Sequence, residues 1–360
     1  MWHDEVTMMT LRQFAAKPAT MPMSTALYLA DLGEARGRQE LLTRQAPQRL
    51  KRLRENALVE SAVSSNRIEG VTVNPARVAT LVFGRPRPKD RDEAEVRGYR
   101  DALNLVHQQG QLLALTEETI LRLHTQCRAG TGDAGRYKEI DSDIIERYAD
   151  GRQRVRFRTA AAAVSPACLR ETLSLWREGV EARWTHPAAL MAAANLDFLC
   201  IHPFRDGNGR VSRLLLLLQC YHIGLEVGRY ISLERLVEQN KDRYYQTLEE
   251  SSQGWHEGRH DAWPYINYVL YILKSAYREF EERVGTTVSP RGAKTEMILA
   301  AVDGFAGDFT LSALEQACPG VSRDMVRRVL RDLRRAGKVS SLGRGPGARW
   351  RKGGSTPKKG

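Results

Sequence analysis

Apolar residues recur at helical spacing along most of this chain. From Gln48 to Glu69 they return about every 3.6 positions, and Gly70 then marks a helix end. The same periodicity predicts further helices over Asp92 to Val106, Glu117 to Cys127, Ser165 to Arg183, Ala188 to Ile201, Val211 to Ile223, Leu233 to Ser251 and Ala262 to Val284. The pattern therefore predicts a mainly α fold.

Strand-like sequence is scarce. The segments KEIDSDII (138–145) and RVRFRT (154–159) alternate apolar and polar residues, and the turn between them contains Asp150 and Gly151. This arrangement predicts one β-hairpin inserted into the helical unit.

A break in the pattern falls at GTTVSPRGAK, residues 285–294, where Gly, Ser and Pro cluster. Three helical stretches and a Gly/Pro-turned ribbon follow, which is the order of a winged helix-turn-helix. The predicted organisation is an unassigned segment (1–47), an N-terminal region (48–90), a helical domain (91–284), a linker (285–294), a winged helix-turn-helix (295–352) and a flexible tail (353–360).

The positive charge is concentrated near the C-terminus. From Gly292 onward the chain has 14 Lys and Arg against 6 Asp and Glu, so most of the net charge of +12 lies there. This excess favours a nucleic-acid partner for the last unit. The candidate DNA contacts are Arg323, Arg327, Arg328, Arg331, Arg344 and Arg349. A protein-interaction module with a solvated arginine face remains the alternative.

The location of the protein follows from weaker signals. The N-terminal residues lack the apolar core of a signal peptide, and the longest leucine run, 214–218, is too short to span a bilayer. Five scattered cysteines suit reduced, buried thiols. We therefore expect a cytoplasmic protein with no membrane partner.

The stretch HPFRDGNGR, residues 202–210, combines residue types that suit phosphate binding. Gly207, Asn208 and Gly209 allow backbone N–H groups to converge on an anion, and the following helix directs its N-terminus at the same point. Arg210 and Arg213 lie three apart on that helix, so their guanidinium groups share a face. Two arginines imply more than one phosphate.

The same stretch also supplies a base and a metal ligand. One carboxylate, Asp206, suits Mg²⁺, which is usually held by one or two carboxylates together with substrate phosphates. His202 is the group here that accepts a proton near neutral pH. The predicted chemistry is attack of a hydroxyl, deprotonated by His202, on a phosphate of a bound nucleotide. The order of residues is not that of a Walker A loop.

Two other interpretations fit the stretch less well. A plain surface turn would explain GNGR alone, but not the full motif followed by Arg213. The pairs Cys200/His202 and Cys220/His222 could bind zinc, although one residue between ligands is closer than the usual spacing and the second pair lies on an apolar helix.

The complete motif, HPFRDGNGRVSR, resembles that of the Fic family and does not depart from it at any chemical position. The resemblance extends by segment order from about Leu50 to Arg283. It implies a Fic helical bundle in 91–284, with the hairpin as a small flap. It also implies transfer of AMP from ATP to a Ser, Thr or Tyr hydroxyl of a protein, including the chain itself, with Mg²⁺. The related Doc-type kinases carry Lys where this chain has Gly209.

The resemblance assigns a role to each residue of the motif. His202 is the base, Asp206 holds Mg²⁺, Asn208 with the neighbouring backbone binds the α-phosphate, and Arg210 and Arg213 bind the β- and γ-phosphates. Phe204 is expected to pack under the loop.

Two further segments resemble substrate-binding parts of the family. The hairpin follows Gly135-Arg136-Tyr137, where the family places a flap that docks the target by main-chain pairing. Its candidate docking residues are Ile140, Ile144, Ile145 and Val155, although an ordinary β-hairpin cover is equally compatible. The segment KDRYYQTLEESSQGWHEG resembles the family's adenine pocket, with Tyr245 as the candidate and a core role as the alternative.

The segment SSNRIEG, residues 64–70, fits the family's inhibitory pattern through Ser65, Glu69 and Gly70. A carboxylate at a helix C-terminus is disfavoured by about 0.3–1 kcal/mol, so a compensating partner is expected. The resemblance implies that Glu69 pairs with Arg213 and displaces the γ-phosphate. A solvated glutamate is the alternative. In some members the same glutamate positions water to remove AMP, so this activity remains open.

A competing class of function is a nucleotide-sensing regulator that binds DNA through its C-terminal unit. Specific duplex binding that responds to ATP, without transfer to any target, would distinguish it. A homodimer is also left open.

Overall fold

The structure, a computed structural model, describes residues 9–17, 20–45, 47–84, 87–147, 150–285, 293–305, 307–318, 321–343 and 348–353. Some predicted features lie outside the described residues. They are the candidate DNA contact Arg344, residues 286–292 of the predicted linker, residues 1–8 of the N-terminal segment and residues 354–360 of the predicted tail.

The chain divides into two compact units, Met1–Val284 and Gly285–Gly360. The described helices of the first unit are α1 (Thr10–Ala16), α2 (Met23–Gln45), α3 (Pro47–Ile68), α4 (Pro75–Phe83), α5 (Arg91–Gln109), α6 (Glu117–Cys127), α7 (Ser165–Ala182), α8 (Pro187–Ile201), α9 (Asn208–His222), α10 (Leu233–Gln239), α11 (Lys241–Ser252) and α12 (Trp263–Gly285). Two short 3₁₀ turns cover Gly110–Leu112 and Val227–Arg229.

Side-chain caps begin several of these helices. Asp90 accepts a hydrogen bond from the backbone N–H of Glu93 at the start of α5. Thr116 caps α6 in the same way, and Ser232 caps α10. Each cap satisfies an N–H group that has no partner within its helix.

The prediction of a mainly α fold with a small antiparallel strand pair is confirmed. One predicted helix was wrong, because the stretch Leu233 to Ser251 contains two helices separated at Asn240. The backbone of Asn240 leaves the helical region, and its side chain donates to the carbonyl of Leu236 at 2.8 Å. An asparagine side chain that bonds to nearby backbone competes with helix continuation.

The sequence did not predict α1, α2 or α4. The apolar pattern of α2 is blurred because Met23, Leu27 and Leu41 point to solvent. A surface helix of this kind has no clear apolar stripe to detect.

Helices α8 and α9 form the centre of the first unit. Every residue of α8 from Ala188 to Ile201 is buried, and so is α9 from Arg210 to Tyr221. Helix α8 packs against α1, α7, α9 and α11. The motif at 202–210 therefore connects two buried helices, which fixes the position of both its ends.

The hairpin consists of β1 (Asp143–Arg147) and β2 (Gln153–Arg158), paired antiparallel. Ile144 lies opposite Phe157, and Ile145 lies opposite Val155, with a β-bulge between Ile144 and Ile145. The first strand is shorter than predicted. A bulge re-aims side chains locally, so the two neighbouring isoleucines face different surroundings.

The second unit contains α13 (Ala293–Gly304), β3 (Phe309–Thr310), α14 (Leu311–Ala317), α15 (Arg323–Arg335), β4 (Val339–Leu342) and β5 (Arg349–Lys352). Its strands form an antiparallel sheet in the order β3-β5-β4. Ile298, Leu314, Val326 and Leu330 belong to a separate hydrophobic core. The winged-helix interpretation of this unit stays a prediction.

Among the described helices, none combines the length and the apolar character that a membrane crossing requires.

Candidate active site

His202 lies at the C-terminal end of α8 in a left-handed conformation, with φ 50° and ψ 61°. A non-glycine residue in this conformation costs about 1–2 kcal/mol, so its surroundings must hold it. Its Nδ1 lies 3.3 Å from the carbonyl oxygen of Leu199. Because a carbonyl only accepts, this contact assigns the ring proton to Nδ1 and leaves Nε2 as the basic nitrogen.

The half-buried ring of His202 is a neutral base at physiological pH. Burial lowers its pKa to about 4, while the hydrogen bond to Leu199 and the charges of Glu69 and Asp206 partly oppose the shift. The imidazole therefore carries a free lone pair at pH 7.

The loop after His202 is closed by one asparagine. The side chain of Asn208 accepts from the backbone N–H of Phe204 at 3.0 Å and donates to the carbonyl of the same residue at 2.7 Å. Gly207 caps α9 with φ 85°, a conformation that favours glycine. Phe204 is fully buried, as predicted, and stacks on His124 with ring centroids 3.8 Å apart.

His124, on α6, packs against the motif loop and supports it. This residue was not predicted from the sequence. Its Nδ1 accepts from the backbone N–H of Gly135 at 3.0 Å, so its Nε2 donates to the carbonyl of Asp206 at 2.9 Å. Burial lowers the pKa of His124. This neutral imidazole ties the motif loop to the segment that leads to the hairpin.

A buried network of ion pairs surrounds Asp206. Arg128, the residue that follows α6, lies 2.7 Å from Asp206 and 3.0 Å from Glu95, and its side chain is 6% exposed. Arg210 is paired with Glu95 at 2.5 Å and lies 3.5 Å from Asp206. The structure thus brings Arg210 and Asp206 together, but the guanidinium of Arg210 contacts a carboxylate that sequence reasoning missed. Glu95 and Arg128 gave no local signal, because their partners lie far away along the chain.

Asp206 is the residue of the motif that could hold Mg²⁺. Its side chain is 47% exposed, in contrast to the buried Glu95 beside it. Mg²⁺ commonly uses one or two protein carboxylates with phosphate oxygens and water, so Asp206 fits this ion. Within the described residues, no three His, Cys, Asp or Glu side chains converge on a common metal position. The Cys/His pairs at 200/202 and 220/222 therefore do not form such a cluster.

Glu69 lies directly over the start of α9. Its Oε1 accepts from Nη2 of Arg213 at 2.8 Å, and Arg213 also donates to the hydroxyl and the carbonyl of Ser65 at 2.9 Å each. A Cβ added at Gly209 would lie 2.2 Å from Oε1 of Glu69. Gly70, with φ 82°, follows the end of α3 and turns the chain away from the helix axis. The carboxylate thus occupies the space above the helix N-terminus.

A pocket of about 290 Å³ opens beside these residues. It is lined by Glu69, Ile144, Arg156, Phe157, His202, Gly209, Tyr244, Tyr245, Leu248 and Glu249, among others. Tyr245 is half-buried, and its hydroxyl lies 3.4 Å from the carbonyl of Ile68. Its neighbour Tyr244 is buried in the core. The pocket therefore joins the base, the start of α9 and one aromatic face.

The candidate docking residues of the hairpin differ in their exposure and surroundings. Ile144 lines the pocket. Ile145 and Val155 are paired across the strands and about half exposed, and Ile140 lies before β1 with 81% of its surface exposed. Arg154 and Arg156 tie the second strand to Glu249 of α11 at 2.7 and 2.9 Å.

The described candidate DNA contacts lie on α15 and β5. Arg323, Arg327, Arg328 and Arg331 are exposed on α15, and Arg349 is exposed on β5. Val326, Val329, Leu330 and Leu333 form the buried face of the same helix. Helix α15 therefore separates an apolar face from an arginine face.

Comparison with known proteins adds independent information. Residues 114–220 match the Fic/DOC family model. The chain is 23% identical over 257 residues to the protein adenylyltransferase Fic of Nematostella vectensis, covering 68% of this chain and 53% of that protein. It is 25% identical over 166 residues to the protein of the same name in Drosophila melanogaster, covering 39% and 31%. The chain spans about half the length of the first relative and about a third of the second.

Solved structures with low sequence identity share the fold. A Fic family protein from Desulfovibrio desulfuricans G20 matches with a TM-score of 0.64 and 23% identity, covering 95% of this chain and 99% of that chain. A Fic domain containing signaling protein from Bacteroides thetaiotaomicron matches with a TM-score of 0.60 and 21% identity, covering 71% and 97%.

Proposed function

The chain is a Fic family protein, and we propose that it transfers AMP from ATP to a hydroxyl group of a protein, including its own chain. The observation that carries the proposal is the position of His202. Its neutral imidazole, with Nε2 available as a base, lines the same pocket as the start of α9 and Tyr245.

The proposed reaction is an in-line displacement at the α-phosphorus of ATP. Nε2 of His202 takes the proton of a Ser, Thr or Tyr hydroxyl of the target. The hydroxyl oxygen then forms a bond to the α-phosphorus, the bond from that phosphorus to the bridging oxygen breaks, and pyrophosphate leaves. The free N–H groups at the start of α9 and its dipole stabilise the negative charge on the phosphates.

In this proposal, Asn208 holds the loop in which backbone groups meet the α-phosphate, and Arg213 pairs with the γ-phosphate. Arg210 reaches a β-phosphate oxygen only when Glu95 releases it, because the two side chains now form a buried pair. Asp206 would hold Mg²⁺, which when bound supplies positive charge to the phosphate oxygens. Tyr245 offers an aromatic surface to the adenine.

We propose that Glu69 restrains the reaction. Its carboxylate occupies the position beside Arg213 that a γ-phosphate would need, and it leaves no space above Gly209. A γ-phosphate on the same side of Arg213 would lie close to the carboxylate of Glu69, and the two negative charges would repel each other. ATP would then bind with its phosphates displaced from the arrangement needed for attack.

Autolabelling with ATP carrying label on the α-phosphate tests the proposal. Glu69→Gly is expected to label more strongly than the wild-type chain, and His202→Ala is expected to abolish labelling in either background. Glu55→Gly is a matched control, since Glu55 is exposed on the same helix. Equal labelling by the wild type and Glu69→Gly would refute the restraint, and label arriving only from the γ-phosphate would show a kinase instead.

AMP removal is a second candidate activity of the same pocket. The side chain of Glu69 is 31% exposed and lines the pocket with His202, so it could orient a water molecule toward a modified target. Pre-labelled protein incubated with the wild-type chain would then release AMP, while the Glu69→Gly variant would not. Retention of the label in both cases would eliminate this activity.

The second unit supplies a separate candidate function, binding to duplex DNA. The exposed arginine face of α15 supports this proposal. The opposite face of the same helix is buried in the hydrophobic core of the unit, so only the arginine face is available to a partner. A cytoplasmic location and a homodimer stay predictions.

A further inference from the structure

Lys138 is a buried cation with no role in the reaction described above. It lies between Tyr137 and the hairpin, and it is only 4% exposed. Its ammonium donates to the hydroxyl of Thr159 at 2.7 Å and to the carbonyl of Ile201 at 3.2 Å. Because a buried ammonium is unfavourable unless it is hydrogen-bonded, this position needs an explanation.

The contacts of Lys138 bracket His202 on both sides. The ammonium binds the carbonyl of Ile201, which precedes His202, and the backbone N–H of Lys138 donates to the carbonyl of Pro203 at 2.9 Å. The backbone of His202 between them is in the left-handed region. Lys138 therefore holds the carbonyl groups on both sides of His202. These contacts stabilise the left-handed backbone of His202, which is unfavourable by itself.

The same ammonium reaches the base of the hairpin. Thr159 follows β2, and its hydroxyl donates to the carbonyl of Ser142, which precedes β1. The backbone N–H of Ala160 also donates to the carbonyl of Cys200 at 3.2 Å. Lys138 and Thr159 thus connect both strand ends to the turn that carries the base.

We propose that Lys138 is a positioning residue that fixes the imidazole of His202 relative to the hairpin, an inference that rests on the proposed function. The ammonium holds the carbonyl that precedes the base, and the backbone N–H of the same residue holds the carbonyl that follows it. Through Thr159 the ammonium also anchors the strands beside which a target would lie. A displacement of a reacting group by about 1 Å can lower a rate by as much as a hundredfold, so such positioning is consequential.

The charge of Lys138 provides an independent signal. In addition to burial, the positive charge of Lys138 lowers the pKa of His202, while the negative charges of Glu69 and Asp206 raise it. Burial lowers the pKa of Lys138 itself to about 8, with Asp141 and Asp143 favouring its charged form. Removal of the ammonium should therefore raise the pKa of the His202 imidazole.

The test compares Lys138→Met, Lys138→Arg and the control Lys51→Met, in which an exposed lysine of α3 is replaced. NMR titration of the His202 ring in the full chain without nucleotide should show a raised pKa in Lys138→Met. The value should return toward that of the wild type in Lys138→Arg and be unchanged in Lys51→Met. This measurement does not depend on whether the chain transfers AMP.

Kinetics in the Glu69→Gly background complete the test. Lys138→Met should lower kcat about tenfold with the KM for ATP nearly unchanged, and Lys138→Arg should recover part of the loss. If Lys138→Met does not fold, Thr159→Val carries the test, because it removes the bridging hydroxyl and retains the charge. It should lower kcat without raising the pKa of His202.

A folded Lys138→Met variant with an unchanged His202 titration and unchanged kcat would overturn the proposal, and so would unchanged kcat in Thr159→Val. Absence of transfer in every variant, including Glu69→Gly alone, would instead refute the proposed function. The His202 titration would then decide the placement of Lys138 by itself.

Discussion

The arginines around the motif of the first unit and those on α15 of the second unit have opposite surroundings. Around the motif, Arg128, Arg210 and Arg213 have side chains no more than 6% exposed, and each contacts a carboxylate. On α15 of the second unit, the arginines project into solvent; Arg323 and Arg335 are 55% and 83% exposed.

The difference shows that the number of arginines is a weaker guide to function than their surroundings. A buried guanidinium is stable only with close partners, so its position is fixed by the fold. An exposed guanidinium stays hydrated and mobile, and its weak ion pairs are easily exchanged for phosphate. The first arrangement suits a site of defined geometry, and the second suits a surface that tolerates many partners.

The largest expected effect is on stability at the buried network. Arg128→Met removes a cation between Glu95 and Asp206, so it should lower the free energy of unfolding by about 3 kcal/mol, as expected for breaking a buried ion pair. Urea unfolding of the full chain measures this change. Arg328→Met is the matched control on α15 and should unfold like the wild type. Equal losses in the two variants would contradict the comparison.

The second effect concerns the pH dependence of transfer in Glu69→Gly. Because burial lowers the pKa of His202 to about 4, the neutral base is present at pH 7 and is lost only as the pH falls through about 4. The kcat/KM for ATP, which reports the nucleotide-free chain, should stay level on acidification to about pH 5 and then fall by up to tenfold per pH unit. An acid limb near the ordinary histidine value of about 6.5 would show that the base is solvated.

Much of the site's chemistry was readable in the sequence because it is local. His202, Asp206 and the glycines occur within nine residues, and a helix start after a Gly-rich turn has a recognisable pattern. The supporting contacts were not readable. Glu95 and Arg128 meet Arg210 and Asp206 across 115 and 78 positions of chain, and no local spacing encodes such a meeting.

The fold shows the same division between local and distant signals. The buried helix α8 was predicted within a residue of its bounds, because a long, largely apolar run that contains only Asn195 and Asp197 as polar residues is distinctive. The surface helix α2 was missed for lack of an apolar stripe. The single helix predicted over Leu233 to Ser251 was wrong, since one asparagine side chain redirected the backbone at Asn240.

The smallest effect concerns the exposed arginines. If α15 binds a duplex, the affinity of the full chain should fall linearly with salt on logarithmic axes, and Arg328→Gln or Arg331→Gln should each reduce that slope by about one. Fluorescence anisotropy with a labelled duplex measures the slope. Arg278→Gln, at an exposed arginine of α12, should leave it unchanged. If the α15 variants leave the salt dependence of the affinity unchanged, this face does not bind DNA and is a solvated surface or a contact for a protein partner.

Calorimetry tests the central claim most directly, namely that the loop between His202 and α9 holds the phosphates of ATP once Glu69 is removed. The Glu69→Gly/His202→Ala variant binds without turnover in this account, so titration with ATP and Mg²⁺ should give saturable heat for one nucleotide per chain. Adding Arg213→Ala should weaken that binding at least about tenfold. No heat of binding to the folded double variant would contradict the account.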